Sequence, residues 1–323
     1  MTVEIYDSQK LRLRDVSNSG AEDAHADLLS KLSHSPSVKM LARVDGDVFE
    51  GLDDLDKNFP NFYKVIKRIR TLLRLECASP ERIVKLPRFL LSGPPGIGKT
   101  RFLNELAKVL KIGTVRQVDM ASTSSAIVLG GMTTSYRNAK QGVVTAHLLE
   151  SQYANPIILL DEIDKVQDNS QNPMGPLFSL LEPGTAESFI DEALDFPINC
   201  SHIIWFATAN NVEHIDDALR SRFEVINITE PTTEQMTAIV NSVYKELLAK
   251  ENWGECFYMH LSDQVLAEFK SSPPRLIRKL LLMTCANALD RQGISESKLI
   301  RIEVEDIERD EADVVVKASI GFY

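Results

Sequence analysis

One stretch of eight residues combines the residue types and the spacing that hold phosphate groups. It consists of Gly93, Pro94, Pro95, Gly96, Ile97, Gly98, Lys99 and Thr100. The stretch fits the P-loop pattern G-x-x-x-x-G-K-[ST], in which glycines permit a tight turn whose backbone N–H groups point at phosphate oxygens. In this pattern the lysine reaches the outer phosphates and the hydroxyl holds Mg²⁺. The sequence therefore predicts nucleotide binding, with Lys99 and Thr100 in these two roles.

The residues on either side of this loop favour the same interpretation. Residues 88–91 have the short apolar pattern of a buried strand, and residues 101–110 carry apolar side chains at helical spacing. A strand, a loop and a helix form the context in which the pattern is meaningful. The alternative is a glycine-rich turn in front of an ordinary helix, and the flanking elements argue against it.

A pair of carboxylates follows a second apolar run. Residues 155–164 read Asn-Pro-Ile-Ile-Leu-Leu-Asp-Glu-Ile-Asp, so four apolar residues lead directly into Asp161 and Glu162. In α/β sheets, ligands bind outside the carboxyl ends of the strands, where this pair would emerge. We expect Asp161 to join the Mg²⁺ shell and Glu162 to orient and deprotonate an attacking water. The alternative is a buried strand followed by an acidic turn.

Further polar candidates lie downstream. The apolar run 203–208 precedes Asn210, whose amide can hydrogen-bond the attacking water or the γ-phosphate. Arg220 and Arg222 come next, and arginine suits the charge that develops on a transferring phosphoryl group, even when a neighbouring molecule supplies it. Arg275 lies in the first turn of a predicted helix, where its charge opposes the helix dipole and favours an anionic partner. The ordinary alternatives are a turn-forming asparagine and exposed arginines.

Composition limits the classes of function. The 323 residues suffice for one large or two smaller domains, and the hydrophobic fraction of 44% is ordinary for a globular protein. The net charge of −10 disfavours broad nucleic-acid binding, which needs Lys and Arg against phosphates. The sequence has neither a membrane-length apolar run nor a signal-peptide pattern, and its four cysteines are far apart. We therefore expect a cytoplasmic protein with reduced thiols that contacts neither membrane nor nucleic acid.

The order of apolar patterns predicts an α/β fold. Short apolar runs alternate with helical patterns up to residue 230, which indicates a parallel sheet with helices on both faces, and helical patterns dominate after that point. The predicted strands are 89–91, 114–120, 157–160, 203–208 and 225–228. The other predicted helices are 22–32, 60–77, 232–250, 262–270, 274–290 and 305–311.

These patterns divide the chain into four parts. Residues 1–45 form a polar, partly flexible segment with one short helix, and residues 46–230 form the α/β nucleotide-binding domain. Residues 231–312 form a small helical domain, and residues 313–323 form a tail.

Taken in this order, the motifs resemble those of AAA+ ATPases. The phosphate-binding loop, acidic pair, strand-end asparagine, arginine pair and helix arginine all recur, and the resemblance covers roughly residues 50–310. Residues 155–165 and 206–211 are similar in particular to the ATPase module of Lon proteases. The resemblance implies ATP as the nucleotide, Mg²⁺ as the cofactor, and a P-loop NTPase domain followed by a helical lid. It also implies a homo-oligomer, a hexameric ring in which neighbouring subunits complete each site.

The resemblance gives individual residues a role. Asn210 corresponds to sensor 1 and Arg275 to sensor 2. Arg222 corresponds to the arginine finger, with Arg220 as the alternative finger.

Residues 129–142 resemble the pore-loop region of Lon. Tyr136 falls on the aromatic residue that grips a translocating polypeptide, and Arg137 stands where Lon has an aliphatic residue. For Tyr136 the alternative is an ordinary loop aromatic. The protease domain and the large N-terminal substrate domain of Lon have no counterpart in the sequence. We therefore expect a free-standing module like the stand-alone bacterial AAA+ ATPases.

The expected output is a chaperone-like ATPase that remodels or unfolds a protein client. A nucleotide-switched scaffold without threading is one alternative, and a nucleic-acid motor or loader is another, although the acidic charge weighs against it. Residues 320–322, Ile-Gly-Phe, resemble the tripeptide with which the ClpX unfoldase docks on its peptidase. The tail therefore either packs on its own domain or docks on a separate peptidase or other partner protein.

Overall fold

The chain divides into two compact units. The computed structural model describes residues 1–17, 23–122, 126–133, 140–166, 174–293 and 299–308, with side chains for all of these except 13–17 and 23–27. The first unit contains Met1–Leu55, Phe62–Pro95 and Lys99–Thr229. The second unit contains Asp56–Asn61, Gly96–Gly98 and Glu230–Tyr323. Tyr136, Arg137 and the C-terminal tail lie outside the described residues.

Strands and helices alternate through the first unit, and helices dominate the second. The strands are β1 (Thr2–Glu4), β2 (Val38–Met40), β3 (Phe89–Ser92), β4 (Arg116–Asp119), β5 (Ile157–Asp161), β6 (Phe189–Asp191), β7 (Phe196–Ile198), β8 (Ile204–Ala209) and β9 (Glu224–Asn227). The helices are α1 (Ser8–Ser17), α2 (Asp23–His34), α3 (Val48–Asn58), α4 (Tyr63–Glu76), α5 (Lys99–Val109), α6 (Ile127–Gly130), α7 (Val143–Glu150), α8 (Met174–Leu181), α9 (Pro183–Ala186), α10 (Asp217–Arg220), α11 (Thr233–Lys250), α12 (Asp263–Phe269) and α13 (Ile277–Gln292). Within the described ranges, no helix combines the length and the apolar character that a bilayer crossing demands.

A five-stranded parallel sheet forms the centre of the first unit. Its order is β4-β5-β8-β3-β9, and each neighbouring pair is parallel. β3 and β8 are buried along their whole length, as expected for a sheet covered on both faces. The five strands predicted from the sequence are confirmed, with ends shifted by at most two residues. Because the strands are parallel, the carboxyl ends of β3, β5 and β8 lie along one edge.

The N-terminal segment packs more closely than the sequence analysis predicts. β1 and β2 pair as antiparallel strands, and Ile5 and Leu32 belong to the same apolar core as the sheet. The buried Lys39 Nζ donates to the carbonyls of Leu148 and Leu149 at 2.8 and 2.6 Å. A cation there satisfies the free carbonyls at the end of α7 and opposes the negative end of its dipole. The sequence analysis predicts one helix in this segment and misses β1, α1 and β2, because the few apolar residues here are scattered among polar ones.

β6 and β7 form a separate antiparallel hairpin that the sequence analysis does not predict. Three-residue strands are too short for an alternating pattern to stand out. The hairpin carries Asp191, which is 0% exposed and accepts hydrogen bonds from the N–H of Gly142 at 2.7 Å and of Ala193 at 3.0 Å. Burial raises the pKa of Asp191, whereas these donors oppose the change. A Cβ on Gly142 would lie 2.1 Å from the Leu129 carbonyl oxygen, so a side chain has no room there.

The second unit packs α11, α12 and α13 around its own apolar core. α11 begins with a capping box, in which Thr232 and Gln235 each accept a hydrogen bond from the other's backbone N–H. The helices predicted at 232–250, 262–270 and 274–290 are confirmed, although the last begins with a 3₁₀ turn at Pro274–Leu276.

The helix predicted at 305–311 is wrong over its described part. Val304–Asp306 is a single 3₁₀ turn, and residues 307 and 308 follow without helix. The Asp306 carboxylate caps the backbone N–H of Glu303 at 2.8 Å and accepts two hydrogen bonds from Arg291. These contacts stabilise the short turn in place of a longer helix.

Candidate functional site

The phosphate-binding pattern lies between β3 and α5, as the sequence predicts. Lys99 and Thr100 are the first two residues of α5, so the loop leads into the positive end of a helix dipole. Gly98 has a φ of +99°, and a Cβ there would meet no atom within 4 Å. The loop therefore presents open backbone in a conformation that favours glycine, and a phosphate group can approach it closely. These features fit the phosphates of a nucleotide.

Lys99 is buried near the carboxylates that follow β5. Its side chain is 9% exposed. Its Nζ donates to the carbonyl oxygens of Gly93 and Pro94 at 2.6 and 3.1 Å, and to Oδ1 of Asn210 at 3.2 Å. Burial lowers the pKa of Lys99, and the carboxylates of residues 161–164 oppose that change. The lysine is thus a buried positive charge in a cluster of acidic groups.

Asp161 is the last residue of β5, and each of its carboxylate oxygens accepts a hydrogen bond from a neighbouring strand. Gln117 of β4 donates from Nε2 to Oδ2 at 2.7 Å, and the Thr208 hydroxyl of β8 donates to Oδ1. Each carboxylate oxygen has a second lone pair, so Asp161 can still accept from a Mg²⁺-bound water or hold the ion itself. Nucleotide sites bind Mg²⁺ through one or two protein oxygens together with the phosphates, and Asp161 and Thr100 fit that donor set.

Glu162, the residue after Asp161, has a backbone conformation in the left-handed helical region. Its φ and ψ are 55° and 47°, a conformation that costs an L-residue about 1–2 kcal/mol. The surroundings must hold such a residue in place. The Glu162 N–H donates to Thr208 Oγ1 at 3.0 Å, and its carbonyl accepts from the Lys165 N–H at 2.9 Å. The side chain is partly exposed, as a group that must meet a water molecule requires.

Asp164 connects the turn after β5 to the end of β8. Its Oδ2 accepts hydrogen bonds from the backbone N–H of Asn210 at 3.2 Å and of Asn211 at 3.1 Å. The carboxylate is buried, and within the described part of the chain its Oδ1 has no hydrogen-bond partner. Asn210 is therefore held through its backbone by Asp164, while its side chain meets Lys99.

Sequence reasoning misses Gln117, Thr208 and Asp164 as parts of this site. Gln117 and Thr208 reach Asp161 only because β4 and β8 flank β5, and local patterns do not reveal that lateral order. The one available signal is that Thr208 interrupts an otherwise apolar strand.

The two candidate arginines have different surroundings. The Arg222 guanidinium carbon lies 4.5 Å from the centre of the Phe178 ring, and Nη1 donates to the Ala218 carbonyl at 2.6 Å. Arg220 instead forms an exposed ion pair with Asp217 at 2.6 Å. The Arg222 side chain is thus held by the Phe178 ring and the Ala218 carbonyl, whereas Arg220 pairs with a carboxylate of its own helix.

Arg222 lies at the edge of the sheet opposite the phosphate-binding loop. It precedes β9, whose first residue Glu224 pairs with Phe89, the first residue of β3. The loop begins at Gly93, and four strand residues span about 13 Å. Arg222 therefore does not share an edge with Lys99, although both belong to the first unit.

Arg275 lies in the second unit, in the 3₁₀ turn before α13. A Cβ on Gly96 would come 2.7 Å from the Cβ of Arg275, so within this unit the arginine backbone passes close to Gly96. The roles of Arg275, and those of Tyr136 and Arg137 outside the described residues, stay predictions.

Comparison with known proteins agrees with the motifs. The model of the ATPase family associated with various cellular activities (AAA) matches residues 89–230. The Lon protease of Campylobacter jejuni is 36% identical over 223 residues, 67% of this chain and 28% of its own length. The Lon proteases of Amoebophilus asiaticus and Lawsonia intracellularis are each 27% identical, over 78% and 96% of this chain. The chain covers only 30% and 38% of those two relatives. Residues 89–230 therefore form a domain of the AAA family of ATPases, and the ATPase region of this chain is similar to that of Lon proteases.

Proposed function

We propose that this ATPase hydrolyses ATP with Mg²⁺ and uses the reaction to remodel or unfold a protein client. The observation that carries the proposal is the meeting of four polar side chains at one edge of the sheet. Lys99 follows the loop after β3, Asp161 and Glu162 come at the end of β5, and Asn210 follows β8. The Lys99–Asn210 hydrogen bond, and the Thr208 hydroxyl that bonds to Asp161 and Glu162, support a single reaction centre.

Phosphoryl transfer needs positioning and charge neutralisation, and each side chain contributes one of these. Lys99 offsets negative charge on the outer phosphates at the positive end of α5. Glu162, a partly exposed carboxylate beyond the strand, accepts the proton of the attacking water. Asn210 orients that water or the γ-phosphate. Thr100 and Asp161 would hold Mg²⁺, which would supply further positive charge at the phosphate oxygens.

Two arginines complete the proposed site from different places. Arg275 corresponds to the sensor 2 arginine of the same chain, and Arg222 serves a neighbouring copy. The position of Arg222, at the edge opposite its own phosphate-binding loop, supports action in trans. Contacts of this kind repeat head to tail, and head-to-tail contacts that close form a ring. The proposed assembly is a homo-hexamer.

The proposed work is the pulling of a polypeptide. Tyr136 would offer ring area that holds an extended chain without selecting its sequence, and Arg137 would favour acidic segments through charge pairing. At the base of this region, the Met132 N–H donates to the Lys140 carbonyl at 2.9 Å.

ATP turnover with different probes tests the proposed work. β-Casein serves as an unfolded polypeptide, and single-stranded and duplex DNA serve as comparisons. We expect casein to raise turnover and DNA to leave it unchanged, and we expect Tyr136→Ala to keep basal turnover while losing the casein response. Stimulation by DNA would indicate a nucleic-acid motor. Slow turnover that responds to neither would indicate a nucleotide-switched scaffold.

A further inference from the structure

We infer that the Thr208 hydroxyl is a positioning group for hydrolysis, because it holds both the Asp161 carboxylate and the Glu162 backbone. The inference rests on the proposed function of the same site. Thr208 acts through these two residues and has no direct part in the chemistry.

Thr208 lies in β8, at the point where this strand runs beside the carboxyl end of β5. Its side chain is 1% exposed, and every residue of β8 is buried. Leu160 of β5 is opposite Ala207 of β8, so the next residues along the two strands are Asp161 and Thr208. A hydroxyl buried in such a strand needs hydrogen-bond partners, because leaving it without them costs stability.

The hydroxyl has one hydrogen-bond partner on Asp161 and one on Glu162. It donates to Asp161 Oδ1 and accepts from the Glu162 N–H at 3.0 Å. A hydroxyl can donate and accept at once, which valine of nearly the same shape cannot do. Loss of the hydroxyl therefore removes two contacts with little change in packing.

Two further observations indicate what these contacts control. The other oxygen of Asp161 accepts from Gln117 at 2.7 Å, so the carboxylate is held from both neighbouring strands. Glu162 has a φ of 55°, which a glutamate keeps only when its surroundings hold it. Without the Thr208 hydroxyl, the carboxylate can rotate and the turn at Glu162 can relax.

The expected defect lies in the reaction step. The contacts of Lys99 with the carbonyls of Gly93 and Pro94 do not involve Thr208, so the phosphate-binding loop keeps its shape. Nucleotide affinity should therefore change little, while turnover and its dependence on Mg²⁺ should change strongly.

Three variants test the inference. Thr208→Val removes the hydroxyl, Thr208→Ser keeps it, and Thr284→Val is the matched control in the second unit. Thr284 is also 1% exposed, and its hydroxyl donates to the Leu280 carbonyl at 2.8 Å. For each variant we would measure kcat, the Kd of a fluorescent ATP analogue and the dependence of turnover on free Mg²⁺.

We expect Thr208→Val to lower kcat by at least about tenfold, because small displacements at a reacting centre are costly. Its nucleotide Kd should stay close to the wild-type value, and it should need more Mg²⁺ for half-maximal turnover. Thr208→Ser should recover most of the lost rate, and Thr284→Val should leave kcat unchanged. If circular dichroism shows that Thr208→Val does not fold, Thr208→Ala compared with Thr208→Ser decides by the same readouts.

Two results would overturn the inference. One is a Thr208→Val protein with wild-type turnover and Mg²⁺ dependence. The other is a Thr208→Ser protein as slow as Thr208→Val, because packing of the methyl group would then be decisive. Glu162→Gln is measured beside them to tell two failures apart. Wild-type hydrolysis in Glu162→Gln defeats the proposed reaction centre itself. Loss of hydrolysis in Glu162→Gln together with normal turnover in Thr208→Val defeats only this inference.

Discussion

Lys99 Nζ donates a hydrogen bond to Oδ1 of Asn210 at 3.2 Å, and this contact joins the start of α5, which follows β3 and its loop, to the loop after β8. The two strands are neighbours in the sheet, so the side chains meet without a long reach. Asn210 is also held through its backbone N–H by Asp164. Its amide thus has a fixed position beside the lysine, which suits a group that responds to the outer phosphates.

Changes at Asn210 should separate binding from hydrolysis. We expect Asn210→Ala to slow ATP hydrolysis about 10- to 100-fold, because a polar group is lost near the reacting phosphate. Asn210→Asp should also weaken ATP binding, since its carboxylate pairs with Lys99 and repels the phosphates. Turnover and nucleotide Kd measure the two effects. Wild-type affinity in Asn210→Asp would contradict the proposed place of Asn210.

Arg222 and Arg220 should differ sharply when replaced by alanine. Arg222→Ala should bind ATP and hydrolyse it about 10³-fold more slowly, the usual scale for an arginine supplied to a neighbouring site. Arg220→Ala should retain most of the rate, because Arg220 forms an exposed ion pair with Asp217. The opposite pattern of rates would make Arg220 the finger.

Mixing two inactive proteins tests whether Arg222 acts in trans. In a mixture of Arg222→Ala and Glu162→Gln subunits, some interfaces pair a wild-type Arg222 with a wild-type Glu162. Those interfaces should restore part of the ATPase activity. Absence of recovery in a mixture proven to co-assemble would argue that Arg222 acts within its own chain or not at all.

Asp191 should stabilise the base of the 131–142 region. Asp191→Ala leaves the N–H groups of Gly142 and Ala193 without their acceptor, so we expect it to lower the free energy of unfolding by at least about 1–3 kcal/mol. The adjacent Glu192, which is exposed, provides the matched control Glu192→Ala. Urea unfolding measures stability, and hydrogen exchange at the Gly142 amide measures the local effect. Unchanged exchange in Asp191→Ala would refute this role.

Because His147 is partly buried, we expect acid to lower the stability of the first unit. Burial, followed by the positive charge of Arg116, lowers the pKa of His147, while Glu150 and a backbone hydrogen bond to Ile157 oppose the change. Its Nε2 is buried and, within the described residues, has no hydrogen-bond partner. The unfolded chain therefore takes up this proton at a higher pH than the folded chain. Stability should fall as the pH drops below the unfolded-state pKa of about 6.5.

The measurement for His147 is the change in Tm between about pH 7.5 and about pH 5.5, a range that spans the histidine titration. His147→Gln should lose less Tm than the wild type over this range. His260 is exposed, so His260→Gln should behave as the wild type does. Equal losses in His147→Gln and wild type would mean that other groups cause the acid sensitivity.

The parts of the site with a local signal could be predicted from the sequence. The phosphate-binding loop, the Asp161–Glu162 pair and the strand-end Asn210 each follow from a short pattern next to an apolar run. The five strands of the sheet follow from the same runs. The predicted strands are confirmed because a buried parallel strand needs a continuous apolar stretch, and its end then stands out. The roles of the residues at those ends stay predictions.

The remaining parts depend on contacts between segments distant in the sequence. Gln117 and Thr208 become site residues through the order of the strands, and Lys39 finds its carbonyl partners 109 and 110 residues away. The sequence leaves Arg220 and Arg222 as alternatives because both have suitable chemistry. The structure shows that their surroundings differ, with the Phe178 ring beneath Arg222, and the choice of finger stays a prediction.

The most direct test of the proposed reaction is ATP hydrolysis by Glu162→Gln, measured together with ATP affinity. The amide keeps the shape of the side chain and cannot accept a proton, so we expect wild-type affinity and hydrolysis at least about 10²-fold slower. Lys99→Ala is the control, and it should weaken ATP binding itself. Hydrolysis at the wild-type rate in Glu162→Gln would contradict the account.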